Sequence, residues 1–280
     1  MNEEAVFYFD VLGFQARAAG SAASAIDALS ALAQILGTPQ LTALTGQWAY
    51  RYSLSDSVFL TAADPLSAAK QAGALVFSLV HFTGTDDEPV LVRGALAFGP
   101  VRHLRGIFLT TSEAANLVGP AVVDAVRLEQ IGLRGPRIII PESLVAILAA
   151  RDSEFVKWTL RPTALPGVWE VLWLLPAHPK DLKDEELSLM DVSGLAVQLF
   201  KKHEGHPAYG THYREFLLLA ARSVARALRY VERHEAALTI PIPSLLPARE
   251  IAEACESMSG LPIDFTMEVR TELSTIEWAR

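Results

Sequence analysis

The sequence predicts an α+β domain, an antiparallel sheet with helices on one face, followed by an extension built of helices. Two observations lead to this prediction. Short apolar runs alternate with segments of helical spacing through residues 1–177. Beyond about residue 179 the strand signals largely vanish and amphipathic helical spacing takes over. The expected domains are therefore residues 1–177, with the sheet, and residues 178–280, the helical extension.

The elements of the first domain follow one another as strand, helix, two strands, helix and strand. The opening run 5–12 (AVFYFDVL) is apolar enough for a strand that is buried on both faces. Ser21 and Gly37 suit the two ends of the first helix, and Pro65 suits the first turn of the second. This order is the split βαβ, ferredoxin-like arrangement, in which the first strand lies antiparallel to the third. The other expected segments are strands at 47–53, 57–62, 90–98, 136–141, 155–160 and 168–175, and helices at 112–117, 121–129 and 142–150.

Composition and charge exclude several classes of protein. The formal net charge of −8 argues against a nucleic-acid partner, because binding a polyanion requires clustered Lys and Arg. Cys255 is the only cysteine, which excludes an internal disulfide and a cysteine-based zinc site. The acidic start MNEE is unlike a signal peptide, and the apolar runs are far shorter than the roughly 20 residues that span a bilayer. We expect a cytoplasmic protein without a membrane partner.

Two carboxylates are expected to meet in this topology. Asp10 lies at the end of the first strand, and Asp56 lies in the tight connection before the third. Since these strands are antiparallel neighbours, the end of one meets the start of the other. Carboxylate oxygens suit Mg²⁺ or Mn²⁺ that also binds phosphates. Asp56 alone would fit an ordinary Ser-Asp-Ser turn, but the charge of Asp10 inside FYFDVLGF is costly without a partner.

Four segments, taken in order, resemble the motifs of the class III nucleotidyl cyclases. They are FDVLGF (9–14), SLSDSVFL (53–60), VRGALAFG (92–99) and GPAVVDAVRLE (119–129). The first is similar to the Asp-Ile-x-Gly-Phe metal motif, and the second lies where the other metal aspartate follows a strand. The third is similar to Arg-x-Gly-x-x-x-Gly, with Ala95 as the middle residue. The fourth resembles a helix that carries Asn and Arg, with Val123 in place of the Asn. The resemblance covers about residues 5–176.

The resemblance implies a lyase that closes a nucleoside triphosphate into a cyclic nucleotide and pyrophosphate. Two Mn²⁺ or Mg²⁺ ions per active site are implied, with Asp10, Val11 and Asp56 as ligands. It further implies a homodimer with composite sites, in which Arg127 of the partner chain stabilises charge at the α-phosphate. The implied phosphate contacts are Leu12, Gly13, Phe14 and Arg93.

Several positions depart from the purine cyclases of this family. Where those usually have a Lys and an Asp or Thr, this chain has Tyr52 and Asn116. Tyr50 shares strand parity with Tyr52, so both phenols are candidates for the base pocket, where they would favour a one-ring base. The alternative that both are half-buried strand residues stays open. A Lys that usually precedes the late strand is missing, and Arg161 is the nearest substitute.

The stretch YRYSLSDS (50–57) resembles the bacterial pyrimidine cyclases of the Pycsar anti-phage system. That likeness implies synthesis of cyclic UMP or cyclic CMP, read by a separate effector protein. UTP is favoured because the amide of Asn116 can satisfy both O4 and N3–H of uracil, although a flipped amide would serve cytosine almost as well. Two alternatives remain. One is a purine cyclase with unusual pocket residues, and the other is an inactive nucleotide-binding regulatory domain, suggested by Val123.

Overall fold

The computed structural model describes residues 2–37, 48–84, 89–105, 115–207, 209–234 and 246–258. The chain divides into two compact units, Met1–Trp173 and Leu174–Arg280. The strands are β1 (Asn2–Val11), β2 (Tyr50–Leu54), β3 (Ser57–Ala62), β4 (Val92–Arg105), β5 (Ala115–Val118), β6 (Ile138–Pro141), β7 (Leu160–Pro162) and β8 (Val168–Val171). The helices of the first unit are α1 (Phe14–Gly20), α2 (Ala22–Gly37), α3 (Pro65–Thr83), α4 (Pro120–Glu129), α5 (Glu142–Arg151) and α6 (Ser153–Thr159). Those of the second are α7 (Leu182–His203), α8 (Gly210–His234) and α9 (Leu246–Ser257), preceded by a 3₁₀ turn at Pro179–Asp181.

The sheet has the order β2-β3-β1-β4-β6-β8-β7, and β5 pairs with β4 outside this path. The first strand, β1, lies between β3 and β4 and is antiparallel to both. The antiparallel pairing of the first and third strands confirms the predicted α+β, split βαβ arrangement. The pairing of β4 with β6 is parallel, so the sheet is mixed rather than purely antiparallel.

The two faces of β1 are covered by different helices. Val6 and Tyr8 pack against α4. Successive side chains on a strand point to opposite sides of the sheet. Phe7 and Phe9 point the other way and are fully buried, and α3 contacts β1, β3 and β4. Helices therefore lie on both faces, whereas the sequence predicted one. The core beneath α4 consists of Val6, Ala97, Val101, Ala121 and Ala125, with Tyr8, Phe59, Leu117 and Val122 packed against it.

A glycine lets β1 and β4 approach closely beside the candidate site. A Cβ atom at Gly94 would lie 2.6 Å from the carbonyl oxygen of Tyr8 and 2.6 Å from the Cβ of Phe9. Any side chain here would push the strands apart, because real Cβ atoms do not come this close to their neighbours. The neighbouring residue, Arg93, lies directly opposite Asp10 in the ladder. Gly94 thereby allows β1 and β4 to pair closely in this register at the end of β1.

Two segments differ from the prediction, each for a local reason. Residues 155–160, predicted as a strand, lie mostly in α6. Asp152 caps that helix by accepting a hydrogen bond from the Phe155 N–H at 2.9 Å, and Phe155 and Trp158 are buried one turn apart. Of the segment 112–117, predicted as helical, residues 115–117 belong to β5, because they pair with the end of β4, and residues 112–114 lie outside the described ranges. The 14-residue β4 is also longer than the predicted strand.

The described residues of the second unit lie mainly in helices. Contacts join α7, α8 and α9 to one another. The middle of α8, from Phe216 to Ala225, is buried throughout. Among the described residues, no helix combines the length and the apolar character that crossing a bilayer requires. The burial of α8 is that of the central helix in a small helical core.

Candidate active site

Asp10 and Asp56 meet at one end of the sheet. In the ladders around β1, Asp10 lies opposite Ser57 of β3 and Arg93 of β4. Asp56 is in the two-residue turn between β2 and β3, where Ser55 adopts a positive φ of 58° that lets the chain reverse. The carbonyl oxygen of Asp56 accepts a hydrogen bond from the Val11 N–H at 3.2 Å. The two carboxyl groups lie close enough to hydrogen-bond to each other.

The surroundings raise the pKa of Asp10 from its ordinary 3.8 to about 6. Burial is the main cause, followed by the charge of Asp56 and the hydrogen bond to it, and then by the charge of Glu129. The hydrogen bond from Ser57 acts in the opposite direction. Acids held this close repel each other when both are ionised, and a divalent cation between them would remove that repulsion. The donor set consists of hard oxygen atoms, so it fits Mg²⁺ or Mn²⁺.

A short chain of hydroxyl groups ends at Asp10. The Tyr8 hydroxyl donates a hydrogen bond to Ser57 Oγ at 3.2 Å, and Ser57 Oγ donates to Asp10 Oδ1 at 3.3 Å. Burial is the main cause that raises the pKa of Tyr8 above its ordinary value. Sequence reasoning missed both hydroxyl groups. The available signal was strand parity, since Tyr8 lies two residues before Asp10 and shares its face.

Arg93 is held by a buried acid. Its Nε donates to Glu129 Oε1 at 2.6 Å, and a second guanidinium nitrogen contacts the same oxygen. Glu129 ends α4 and is only 3% exposed. The alternative to a catalytic role for Arg127 is that of a surface helix residue paired with Glu129 or Asp124. The structure instead pairs Glu129 with Arg93 and leaves Arg127 exposed on α4.

The loop after β1 positions the predicted phosphate contacts. Gly13 adopts the left-handed conformation, with φ 74° and ψ 8°, immediately before α1. This conformation favours glycine, because a Cβ would clash. The Leu12 N–H already donates to the carbonyl oxygen of Leu91 at 2.8 Å. Of the predicted contacts in this loop, Gly13 and Phe14 are therefore the better candidates for amide donors.

The predicted base-recognition residues lie in two places. Tyr52 lies opposite Phe59, and their rings are 6.3 Å apart between centroids. Phe59 in turn contacts Tyr8 at 4.6 Å, so three aromatic rings form a row beside Asp10. Tyr50 lies on the same strand, opposite Thr61. Asn116 lies on β5 opposite Leu104, at the far end of β4 from Arg93.

The candidate site relies on two carboxylates rather than on a closed cage. Across the described ranges, no three His, Cys, Asp or Glu side chains come together in a group that could hold a metal ion. Mg²⁺ commonly takes one or two carboxylates and completes its coordination with water and substrate phosphates. The arrangement of Asp10 and Asp56 therefore matches a cation whose remaining ligands are water molecules or substrate phosphates.

Solved structures of nucleotide cyclases resemble this chain. No family model and no curated protein matches the sequence. An adenylate cyclase from Trypanosoma brucei, solved in its monomeric state, is 12% identical, with a TM-score of 0.49 over 62% of this chain and 90% of that one. The guanylyl cyclase Cya2 is 15% identical, with a TM-score of 0.46 over 61% and 92%. The adenylyl cyclase CyaB from P. aeruginosa is 16% identical, with a TM-score of 0.45 over 60% and 93%.

Proposed function

We propose that this chain is a nucleotide cyclase, which converts a nucleoside triphosphate to its 3′,5′-cyclic monophosphate and pyrophosphate. The observation that carries the proposal is the convergence of Asp10 and Asp56 at one strand end, with the pKa of Asp10 raised to about 6. A pair of acids in this state is costly unless a ligand compensates it. The four segments that resemble motifs of the cyclase family occur in order along the chain and support the same reaction.

In this mechanism, Asp10, Asp56 and Val11 would hold two Mn²⁺ or Mg²⁺ ions. When bound, the ions would activate the ribose 3′-hydroxyl and neutralise charge on the triphosphate. Gly13 and Phe14 offer backbone amides to the phosphates, and Arg93 offers the part of its guanidinium that Glu129 does not occupy. The attack is intramolecular, so holding the ribose and the α-phosphate in line supplies much of the rate enhancement.

The active site is proposed to be completed by a second copy of the chain. Val118 and Val123 are 43% and 45% exposed, and Arg127 follows Val123 by one helical turn. Apolar side chains this exposed next to an exposed arginine suit a surface that a partner covers. In the homodimer, Arg127 of one chain would stabilise the charge that builds up at the α-phosphate bound by the other. Asn116, remote from Arg93 along β4, would reach the site in the same way.

UTP is the proposed substrate and cyclic UMP the product. Tyr52 continues the aromatic row of Tyr8 and Phe59, and a large phenol there leaves room for a one-ring base. CTP is the second choice, because the amide of Asn116 can serve either pyrimidine. The biological role we propose is anti-phage signalling in the cytoplasm, with a separate effector that reads the cyclic pyrimidine.

An inactive nucleotide-binding regulatory domain is the rival of a different class. Val123, which replaces the family Asn, is the observation that favours it. The presence of Asp10, Asp56, Arg93 and Arg127 opposes it, because binding alone does not require two metal carboxylates. The two proposals differ in whether pyrophosphate is released.

The decisive experiment compares the four nucleoside triphosphates. The purified full chain is incubated with ATP, GTP, CTP or UTP and Mn²⁺, and products are identified by mass spectrometry. We expect cyclic UMP as the dominant product and no product from Asp56→Ala, whose fold is checked by circular dichroism. Dominant cyclic AMP or cyclic GMP would overturn the base assignment, and no pyrophosphate from any nucleotide would favour the regulatory domain.

Mixing two inactive variants tests the composite site. Asp56→Ala and Arg127→Ala each lack one half of the proposed site, so each alone should be inactive. A heterodimer of the two retains one intact site. Random exchange at equal concentration would therefore restore about a quarter of the wild-type sites. If Arg127→Ala alone keeps full activity, or if the mixture stays inactive while exchange is shown to occur, the composite site is wrong.

A further inference from the structure

The hydroxyl chain that ends at Asp10 links the core of the sheet to the proposed metal site. Tyr8 and Ser57 are 49 residues apart in sequence, but the ladder between β1 and β3 brings them together. We propose that Tyr8 is a positioning residue for the metal ligand Asp10 and that it acts through the hydroxyl of Ser57. This inference rests on the proposed metal-dependent function and specifies what holds its ligand in place.

The hydrogen bonds of the hydroxyl chain all point in one direction, from Tyr8 through Ser57 to Asp10. A serine hydroxyl has one proton, and an ionised carboxylate can only accept hydrogen bonds. Because Tyr8 donates to Ser57 Oγ at 3.2 Å, Ser57 keeps its own proton for Asp10 Oδ1 at 3.3 Å. Hydrogen bonds connected in this way strengthen one another. The chain therefore fixes one oxygen of Asp10 while the carboxyl group faces Asp56.

The position of the Tyr8 hydroxyl is set by packing. Its ring lies 4.6 Å from the ring of Phe59 and packs against the core beneath α4. A ring held on one side by the sheet and on the other by a helix has little rotamer freedom. The packed core therefore holds the Tyr8 hydroxyl in place, and through Ser57 this hydroxyl orients the half-buried carboxylate of Asp10 at the end of the strand. Groups that hydrogen-bond to metal-binding carboxylates typically alter metal affinity by about 10-fold to 100-fold.

The competing explanation is that Tyr8 is only a core residue. In that case its ring matters and its hydroxyl does not, so phenylalanine would serve equally well. Tyr8→Phe keeps the ring against Phe59 and removes only the donor to Ser57. The two explanations thus predict different metal affinities for one conservative variant.

The experiment measures Mn²⁺ binding to the full chain without nucleotide, by electron paramagnetic resonance of the free ion at pH 7.5. We expect Tyr8→Phe and Ser57→Ala each to weaken Mn²⁺ binding by about 10-fold or more. The double variant should be no weaker than Ser57→Ala alone, because Tyr8 acts through Ser57. Thr61→Val is the matched control. Thr61 lies on β3, the strand that carries Ser57, and its buried hydroxyl has no hydrogen-bond partner among the described residues. We expect Thr61→Val to bind Mn²⁺ with the affinity of the wild type.

Each result bears on a different part of the inference. Wild-type affinity in Tyr8→Phe makes Tyr8 a core residue only and overturns the inference while leaving the cyclase proposal intact. Losses that add in the double variant show that Tyr8 does not act through Ser57, which also overturns it. Absence of Mn²⁺ binding in the wild type removes the metal site and the inference together. Thermal melting without metal checks that every variant folds, and Ser57→Ala, next to the turn, still tests the donor to Asp10 if Tyr8→Phe does not fold.

Discussion

Two acidic sites of the first unit, at Glu170 and at Asp10, are in opposite electrostatic states. On β8, Glu170 is 0% exposed and contacts two arginines, Arg137 and Arg161, the latter with Nε 3.2 Å from Oε1. At the end of β1, Asp10 faces a second acid, Asp56, and its pKa rises to about 6. The first acid is neutralised by the protein itself. The second pair needs something the chain does not supply, which is why we assign binding to it.

The arginines at Glu170 are committed to structure. Glu170 lies opposite Arg161 of β7 and opposite Ile139 of β6, so its contacts join the last three strands of the sheet. Arg137 adds a hydrogen bond to the carbonyl oxygen of Arg134 at 2.5 Å. Arg161 was the nearest sequence candidate for a missing phosphate-binding lysine. Its contact with a buried glutamate makes it a poor one, because moving it to a phosphate would leave Glu170 less compensated.

The largest expected effect comes from breaking the neutralised cluster. Glu170→Gln removes the acid that contacts both Arg137 and Arg161, and an uncompensated buried charge costs about 3–5 kcal/mol. We expect that loss in the free energy of unfolding, measured by urea titration in EDTA, with unchanged Mn²⁺ affinity if the protein still folds. The control is Glu154→Gln, at an exposed glutamate in the same unit, which should change stability by less than about 0.5 kcal/mol. Similar losses in both variants would contradict the role of Glu170 as a neutralised structural acid.

The pH dependence of metal binding tests the assignment of Asp10 as a metal ligand. Burial, Asp56 and Glu129 raise the pKa of Asp10 to about 6, so below that pH a bound proton competes with the cation. We expect Mn²⁺ affinity to level off above about pH 7 and to fall by up to about tenfold per unit below pH 6. Mn²⁺ titrations at several pH values between 5 and 8 would show this. Affinity that stays constant from pH 5 to pH 7 would mean that Asp10 is not a ligand.

The sequence could predict where Asp10 and Asp56 meet because that depends only on topology. An antiparallel neighbour relation between the first and third strands is enough to bring their ends together. Strand parity places Tyr8 on the face of Asp10, but the hydroxyl chain also depends on the exact register that puts Asp10 opposite Ser57, which the sequence alone did not predict. A slip of one residue would turn Ser57 to the other face.

The partners of charged side chains were harder to predict than the fold. The pairing of Glu129 with Arg93 was not predicted, because the contact depends on how α4 crosses the sheet. The misassigned segment 155–160 has a related cause. Its aromatic residues favour a strand, but the hydrogen bond from the Phe155 N–H to Asp152 and the burial of Trp158 favour a helix. In both cases tertiary packing outweighed a local signal.

A smaller effect is expected when the repulsion between Asp10 and Asp56 in the metal-free protein is removed. The folded pKa of Asp10, about 6, exceeds its ordinary 3.8, so the folded state binds the proton more tightly. The stability of the metal-free protein should therefore fall as pH rises from about 4 to about 6 and stay low above that. Asp10→Asn removes this penalty, and screening at the solvent-facing strand end limits the gain to about 1 kcal/mol at pH 7.5. Urea unfolding in EDTA at pH 7.5 and pH 4 measures it. A loss of stability at pH 7.5 would show that the carboxylate is held for structure.

The smallest effect is expected at an exposed ion pair that is part of neither the Glu170 cluster nor the Asp10 site. Arg151 contacts Asp64, and their side chains are 45% and 42% exposed. Asp64 also caps α3 by accepting a hydrogen bond from the Ser67 N–H at 2.7 Å. Because solvent screens the pair, Arg151→Gln should cost less than about 0.5 kcal/mol, whereas Asp64→Ala should cost about 1 kcal/mol through loss of the cap. Thermal unfolding of the two variants separates the contributions. A larger loss in Arg151→Gln than in Asp64→Ala would mean that charge pairing stabilises this unit even at its surface, and the contrast between Glu170 and Asp10 would then need another explanation than burial.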